Sequence, residues 1–108
     1  MQTFVTPQLA PAIGPYCHAV RTGSLLFISG QVPVNRRGEV VGSTRAEQTE
    51  QTLNDLEAVL VHCGLQWKDV VKTTVYISKM EAFGEMNAVY AQKFGDHKPA
   101  RACVEVSR

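Results

Sequence analysis

The chain has 108 residues, 44% of them hydrophobic and 19% charged, which is the balance of one globular domain and too short for two. Eleven Lys and Arg against ten Asp and Glu leave a formal charge of +1, which argues against a nucleic-acid partner. The apolar stretches 25–28 and 58–61 are far too short to cross a membrane, and the N-terminus carries no targeting pattern, so the sequence reads as cytoplasmic with a mitochondrial pool left open.

In chain order, residues 16–21 and 24–29 flank Thr22-Gly23, a two-residue hairpin signal. Residues 32–34 and 39–41 flank Asn35-Arg36-Arg37-Gly38, a longer turn carrying a glycine. Thr44 followed three residues later by Glu47 has capping-box spacing and opens a helix. Its apolar stripe is Ala46, Leu53, Leu56, Leu60 and Cys63, with Gln48, Gln51 and Asp55 on the other side and Gly64 as the stop. Residues 70–78, VVKTTVYIS, form a β-branched strand. Ser78 and Glu81 repeat the capping spacing ahead of a second helix, whose stripe Phe83, Met86, Tyr90 and Phe94 ends at Gly95. Residues 100–107, ARACVEVS, supply the last strand. An antiparallel start followed by helix, strand, helix, strand predicts an α+β fold with one mixed β-sheet and both helices on a single face. The other sheet face is then bare. Val71, Thr73 and Val75, or Leu26 and Ile28, are expected to expose an apolar patch there that self-association would cover.

Arg101 is the most suggestive residue, because a planar guanidinium at the start of a strand of small and apolar residues suits a carboxylate or phosphate. The alternative is an arginine at a strand end that reaches solvent or a glutamate. Alternation puts Cys103 and Glu105 on the Arg101 face and Ala102 and Val104 opposite. No histidine neighbours Cys103 to make a thiolate, so a packed thiol is the simpler reading, as it is for Cys63 on the helix stripe. Cys17 and His18 point to opposite faces of a strand and do not form a pair. The three cysteines and three histidines are too scattered for a disulfide framework or a zinc site. Tyr16, after Gly14-Pro15, either edges a pocket or fills the core. Gly30, after Ser29, permits close approach of a ligand or backbone, while Ser29 lacks a nucleophile elbow. Asn87 is either a buried hydrogen-bonder or exposed. No phosphate-binding glycine motif is present.

Six segments in register resemble the Rid family of reactive-intermediate deaminases, the YjgF-type imine and enamine deaminases. They are APAIGPY at 10–16, ISGQVP at 28–33, GEVVG at 38–42, DVVKTTVY at 69–76, Asn87-Ala88-Val89-Tyr90, and PARACVEV at 99–106. The resemblance implies a chorismate-mutase-like α+β fold, assembled as a homotrimeric barrel with active sites between subunits. It implies hydrolysis of 2-imino acids, such as 2-iminobutanoate and 2-iminopropanoate, to 2-oxo acids and ammonia with neither metal nor cofactor. By the same resemblance, Arg101 clamps the substrate carboxylate, the backbone of Cys103 hydrogen-bonds the imine region, and Gly30 lies close to the ligand. Tyr16, Ser29 and Asn87 fall at pocket positions, Tyr16 from the neighbouring subunit.

The chain departs from the family pattern in three places. Cys17 and His18 follow Tyr16 where Ser-Gln is usual, and Ala102 replaces a common Ser or Thr. Family members also continue past the position of Arg108 into a strand that completes the sheet and carries a water-positioning glutamate. The expectation is therefore a single Rid-type domain over 1–108 without that strand, and the family gives no warrant for Glu105 as its substitute. Two other readings follow: a non-catalytic trimer that binds a small carboxylate, and an endoribonuclease that inhibits translation. The near-neutral charge and the lack of a basic, aromatic-interleaved stripe oppose the second.

Overall fold

Helix α1, Arg45–His62, starts where both halves of its capping box close. The Thr44 hydroxyl accepts the Glu47 N–H at 3.1 Å, and a Glu47 carboxylate oxygen accepts the Thr44 N–H at 3.1 Å. Those bonds hold the Glu47 carboxyl below its ordinary value. The chain leaves α1 through Gly64, whose φ of 77° suits a residue without a Cβ. The computed structural model in which these elements are seen describes residues 1–107.

Helix α2, Phe83–Phe94, begins later than its sequence signal. A 3-10 turn at Met80–Ala82 precedes it, and Ser78 and Glu81 form no capping box. Groups distant in sequence do that work instead. The Glu105 carboxylate accepts the Met80 N–H at 2.7 Å, and Ser78 accepts a hydrogen bond from Arg45 at 3.4 Å. Glu85, in the first turn of α2, accepts the Ala46 N–H at the start of α1 at 2.9 Å.

The strands are β1 Gln2–Phe4, β2 Ala19–Thr22, β3 Leu25–Ile28, β4 Lys72–Ile77 and β5 Ala100–Glu105. The predicted hairpin is present but shorter, and its loop is Gly23-Ser24, since Thr22 pairs with Leu25. The second hairpin reduces to one bridge, Val34 to Val40. β1, too short to carry a sequence signal, pairs antiparallel with β2.

The class is α+β, as the element order predicts, with two helices packed on mixed strands. Among the described residues the strands of that mixed sheet pair in two groups. β1-β2-β3 is one antiparallel sheet and β4-β5 a separate parallel pair, joined through the α2 crossover. The phase of the bare face also needs correction. Val71 is exposed as expected, but Thr73, Val75, Leu26 and Ile28 face the helices and are half-buried, while Leu25, Phe27 and Tyr76 are exposed. A one-residue error in strand phase inverts every side chain, and the local alternation of mostly apolar strands does not fix it.

Each sheet has its own core. Leu53, Ile77, Met86, Tyr90 and Phe94 form one cluster beneath β4-β5. Leu9, Ala19, Val59 and Cys63 form another beneath β1-β2-β3. Full burial of a side chain such as Val59, which has no exposed surface, is worth about 1.5–3 kcal/mol. Asp55, expected on the polar side of α1, is instead buried. It accepts a 2.9 Å hydrogen bond from Gln51, and burial raises its carboxyl above the ordinary range. Among the described residues no helix is long and apolar enough to cross a membrane.

Candidate functional site

Arg101 enters the site from β5 and lies across one stripe of α2. Phe83, Asn87 and Tyr90 are spaced four and three residues apart and share that helical face. The guanidinium carbon stands 4.9 Å from the Tyr90 ring centre and 5.5 Å from that of Phe83, and one of its nitrogens donates to Asn87 Oδ1 at 2.7 Å. Among the described residues Arg101 makes no ion pair, so its charge is held by rings and a neutral amide rather than by a carboxylate. That arrangement orients a cation and leaves it receptive to an anion.

Tyr90 is itself fixed. It is buried, it stacks on Phe94 with ring centres 4.6 Å apart, and its hydroxyl is hydrogen-bonded to Thr73 on β4. Burial pushes its phenol up, against the smaller pull of the Thr73 hydrogen bond and the Arg101 charge, so the ring under Arg101 is neutral. Thr73, Phe83 and Tyr90 had been readable only as strand and core-stripe residues. The missed signal is the pairing of an aromatic–Asn–aromatic helix face with an arginine on the strand that follows.

The ladder supplies the second half of the site. Ala100 N–H bonds to Val71 and Val106 N–H to Ile77, so the even-numbered residues of β5 face β4. The backbone groups of Arg101 and Cys103 therefore point to the free edge of β5. Cys103 has a half-buried side chain that packs against the β4–α2 core, as the packed-thiol reading expects. Glu105 shares the predicted face, but its carboxylate is engaged at Met80.

The other named residues lie elsewhere. Ser29 donates its hydroxyl to the Cys17 carbonyl at 2.6 Å, and its own carbonyl accepts from Gln31 at 3.1 Å. A Cβ placed on Gly30 would meet nothing within 4 Å, so open space adjoins it. Ser29 and Gly30 line the cleft between β3 and β4, which Arg101, Cys103 and Asn87 do not. Tyr16 is half-exposed on the segment leading to β2, its ring 3.6 Å from where a Cβ on Gly14 would sit. His18 anchors that segment: its Nδ1 accepts the Thr6 N–H at 2.8 Å and its Nε2 donates to the Ala10 carbonyl at 3.1 Å. A single chain thus brings Arg101, Asn87 and the Cys103 backbone together and leaves Tyr16, Ser29 and Gly30 apart from them. Burial raises the Cys63 thiol, in keeping with its core position. Among the described residues no cluster of three His, Cys, Asp or Glu could hold a metal ion.

Known proteins share this sequence and fold. A RutC family protein of Pyrococcus horikoshii is 44% identical over 110 residues, covering 100% of this chain and 87% of the relative. The Escherichia coli 2-iminobutanoate/2-iminopropanoate deaminase is 39% identical over 110 residues, covering 99% of this chain and 86% of the enzyme. The crystal structure of the YjgF gene product of E. coli superposes with a TM-score of 0.93 at 39% identity, covering 100% of this chain and 87% of that one. E. coli TdcF with bound serine superposes with a TM-score of 0.93 at 37% identity, covering 100% of this chain and 87% of that one. A family model described as endoribonuclease L-PSP matches residues 7–108, and the chain belongs to that family, which includes the YjgF and RutC proteins.

Proposed function

We propose that this protein hydrolyses reactive 2-imino acids, such as 2-iminobutanoate and 2-iminopropanoate, to 2-oxo acids and ammonia. The observation that carries the reading is the pairing of Arg101, unopposed by a carboxylate and oriented by Asn87, Phe83 and Tyr90, with the unpaired backbone of Cys103 two residues along the same free strand edge. An imino acid offers a carboxylate and a polar C=N group one carbon apart. The deaminase from E. coli at 39% identity and the serine bound by TdcF support a small amino-acid-like ligand.

In this scheme Arg101 grips the carboxylate in two parallel hydrogen bonds, and a Cys103 backbone group holds the imine nitrogen region. Water adds to the electrophilic carbon of the protonated imine, and the resulting carbinolamine expels ammonia to leave the 2-oxo acid. Nitrogen leaves and oxygen enters, with no change of oxidation state. The electrophile needs no nucleophile–base pair, so binding and orientation supply the acceleration. Tyr16 from a neighbouring subunit of a homotrimer completes the pocket together with Ser29 and Gly30, and the protein works in the cytosol.

The test is ammonia release from 2-iminobutanoate generated in situ by threonine dehydratase. Release above the uncatalysed rate, lost in Arg101→Ala, is the expected outcome. Equal rates with and without the protein, from a folded trimer, would replace the reading with a carboxylate-binding protein. The family's ribonuclease description gives a second reading, and no basic stripe in this chain favours it.

A further inference from the structure

One side chain holds down the segment between β1 and β2. Among the described residues, residues 6–16 make two hydrogen bonds to the rest of the chain, and both end on the buried ring of His18. Nδ1 accepts the Thr6 N–H at 2.8 Å, and Nε2 donates to the Ala10 carbonyl at 3.1 Å. A backbone N–H cannot accept and a carbonyl cannot donate, so these partners fix the neutral ring with its proton on Nε2. The other anchor of the segment is Leu9, buried in the cluster of Ala19, Val59 and Cys63. The Thr6 hydroxyl is buried and bonds to nothing, so no side-chain bond backs up the one from its N–H. Tyr16 ends the segment two residues before His18 and is half-exposed.

We propose that His18 is a titratable positioning residue: its neutral ring seats the 6–16 segment, and with it Tyr16, and uptake of one proton from solvent releases them. An imidazolium carries N–H groups on both nitrogens, so Nδ1–H and the Thr6 N–H become two donors facing each other. One hydrogen bond is lost, a backbone N–H loses its acceptor, and a charge enters a site closed to water. No group around the ring is set to neutralise that charge. β1, β3 and residues 5–15 contain no ionisable side chain. On β2, Arg21 donates to the Cys63 carbonyl, and beside His18 the Cys17 thiol donates to the Ala19 carbonyl. From α1, the Asp55 carboxylate accepts from Gln51 and the His62 ring meets Phe4 edge-on, while the Cys63 thiol that follows lies in the core. None of these groups bonds to the His18 ring among the described residues. Histidine is the side chain whose charge ordinarily changes between about pH 5 and 8. The consequence for the candidate site rests on the reading that Tyr16 completes its pocket. Acidification then unseats Tyr16 and weakens ligand binding without altering Arg101.

The test follows the full chain by NMR from about pH 8 to 5, alongside calorimetric titration with 2-oxobutanoate, which stays ionised throughout. The variant His18→Gln offers a carbonyl oxygen to the Thr6 N–H and an amide N–H to the Ala10 carbonyl, but takes up no proton. At the alkaline end, the parent's ring should carry its proton on Nε2 and none on Nδ1. On acidification the Thr6 amide and Tyr16 ring signals should move in step with the His18 nitrogens, and should stay in place in the variant. Affinity for 2-oxobutanoate should fall at least roughly threefold in the parent, as the seated population shrinks, and less than about twofold in His18→Gln. Thr6 or Tyr16 signals that hold still while His18 titrates would overturn the proposal. So would a ring that stays neutral to the acid end, or an equal loss of affinity in a folded variant. If His18→Gln does not fold, the parent's own resonances decide the matter. A parent that binds no 2-oxobutanoate at any pH would refute the pocket reading alone, and the Thr6 and Tyr16 signals would still decide the role of His18.

Discussion

Arg101→Lys separates geometry from charge at the candidate site. Lysine keeps the positive charge but has no planar fork, and its ammonium cannot donate to Asn87 and to both carboxylate oxygens in the geometry that Arg101 allows. Losing one charge-assisted hydrogen bond to a bound carboxylate costs about 1.5–3 kcal/mol, which is roughly a 10- to 150-fold weaker Kd for 2-oxobutanoate. The internal cost is smaller. One hydrogen bond to a neutral amide and two ring contacts at 4.9 and 5.5 Å together contribute about 2 kcal/mol, part of which lysine retains. Calorimetric titration with 2-oxobutanoate measures the first effect and thermal unfolding the second. A folded Arg101→Lys protein whose affinity stays within about twofold of the parent would show that the fork does not hold the ligand, and the site assignment would fail.

Two further outcomes follow from groups around the cores. Because burial raises the Asp55 carboxyl, its protonated form is favoured by folding, so its stabilising contribution is complete below the unfolded value near 3.8 and is lost as pH rises through the folded one. Asp55→Asn should therefore be at least as stable as the parent at neutral pH, with the difference shrinking on acidification in urea melts. A parent that gains on the variant as pH rises would contradict this. Tyr90→Phe keeps the ring beneath Arg101 but deprives Thr73 of its partner, so unfolding should become easier by about 1 kcal/mol while 2-oxobutanoate affinity holds. A large loss of affinity would place the phenol itself in the pocket.

Where local chemistry decides the structure, the sequence is readable. Thr44 and Glu47 are three residues apart and close the capping box of α1 between themselves. The same spacing at Ser78 and Glu81 misleads, because the Met80 N–H ahead of α2 is taken by the carboxylate of Glu105, distant in sequence. Strand phase was hidden for a related reason. VVKTTVYIS is apolar or β-branched on both faces, and contact with Met86 and Tyr90 rather than alternation selects Thr73 and Val75 for the inside. Arg101 stood out because a charge among small residues demands a partner. Asn87 had an open role until the fold laid the guanidinium along its helix face.

Helix α1 contributes to both hydrophobic clusters, with Leu53 in one and Val59 in the other. A two-stranded sheet is too small to persist alone, so the β4-β5 half needs a helix packed on it. The order of events in folding is constrained accordingly. α1 offers a local, self-capped segment on which either half can condense first, and substitutions at Leu53 and Val59 would slow different routes to the same native state.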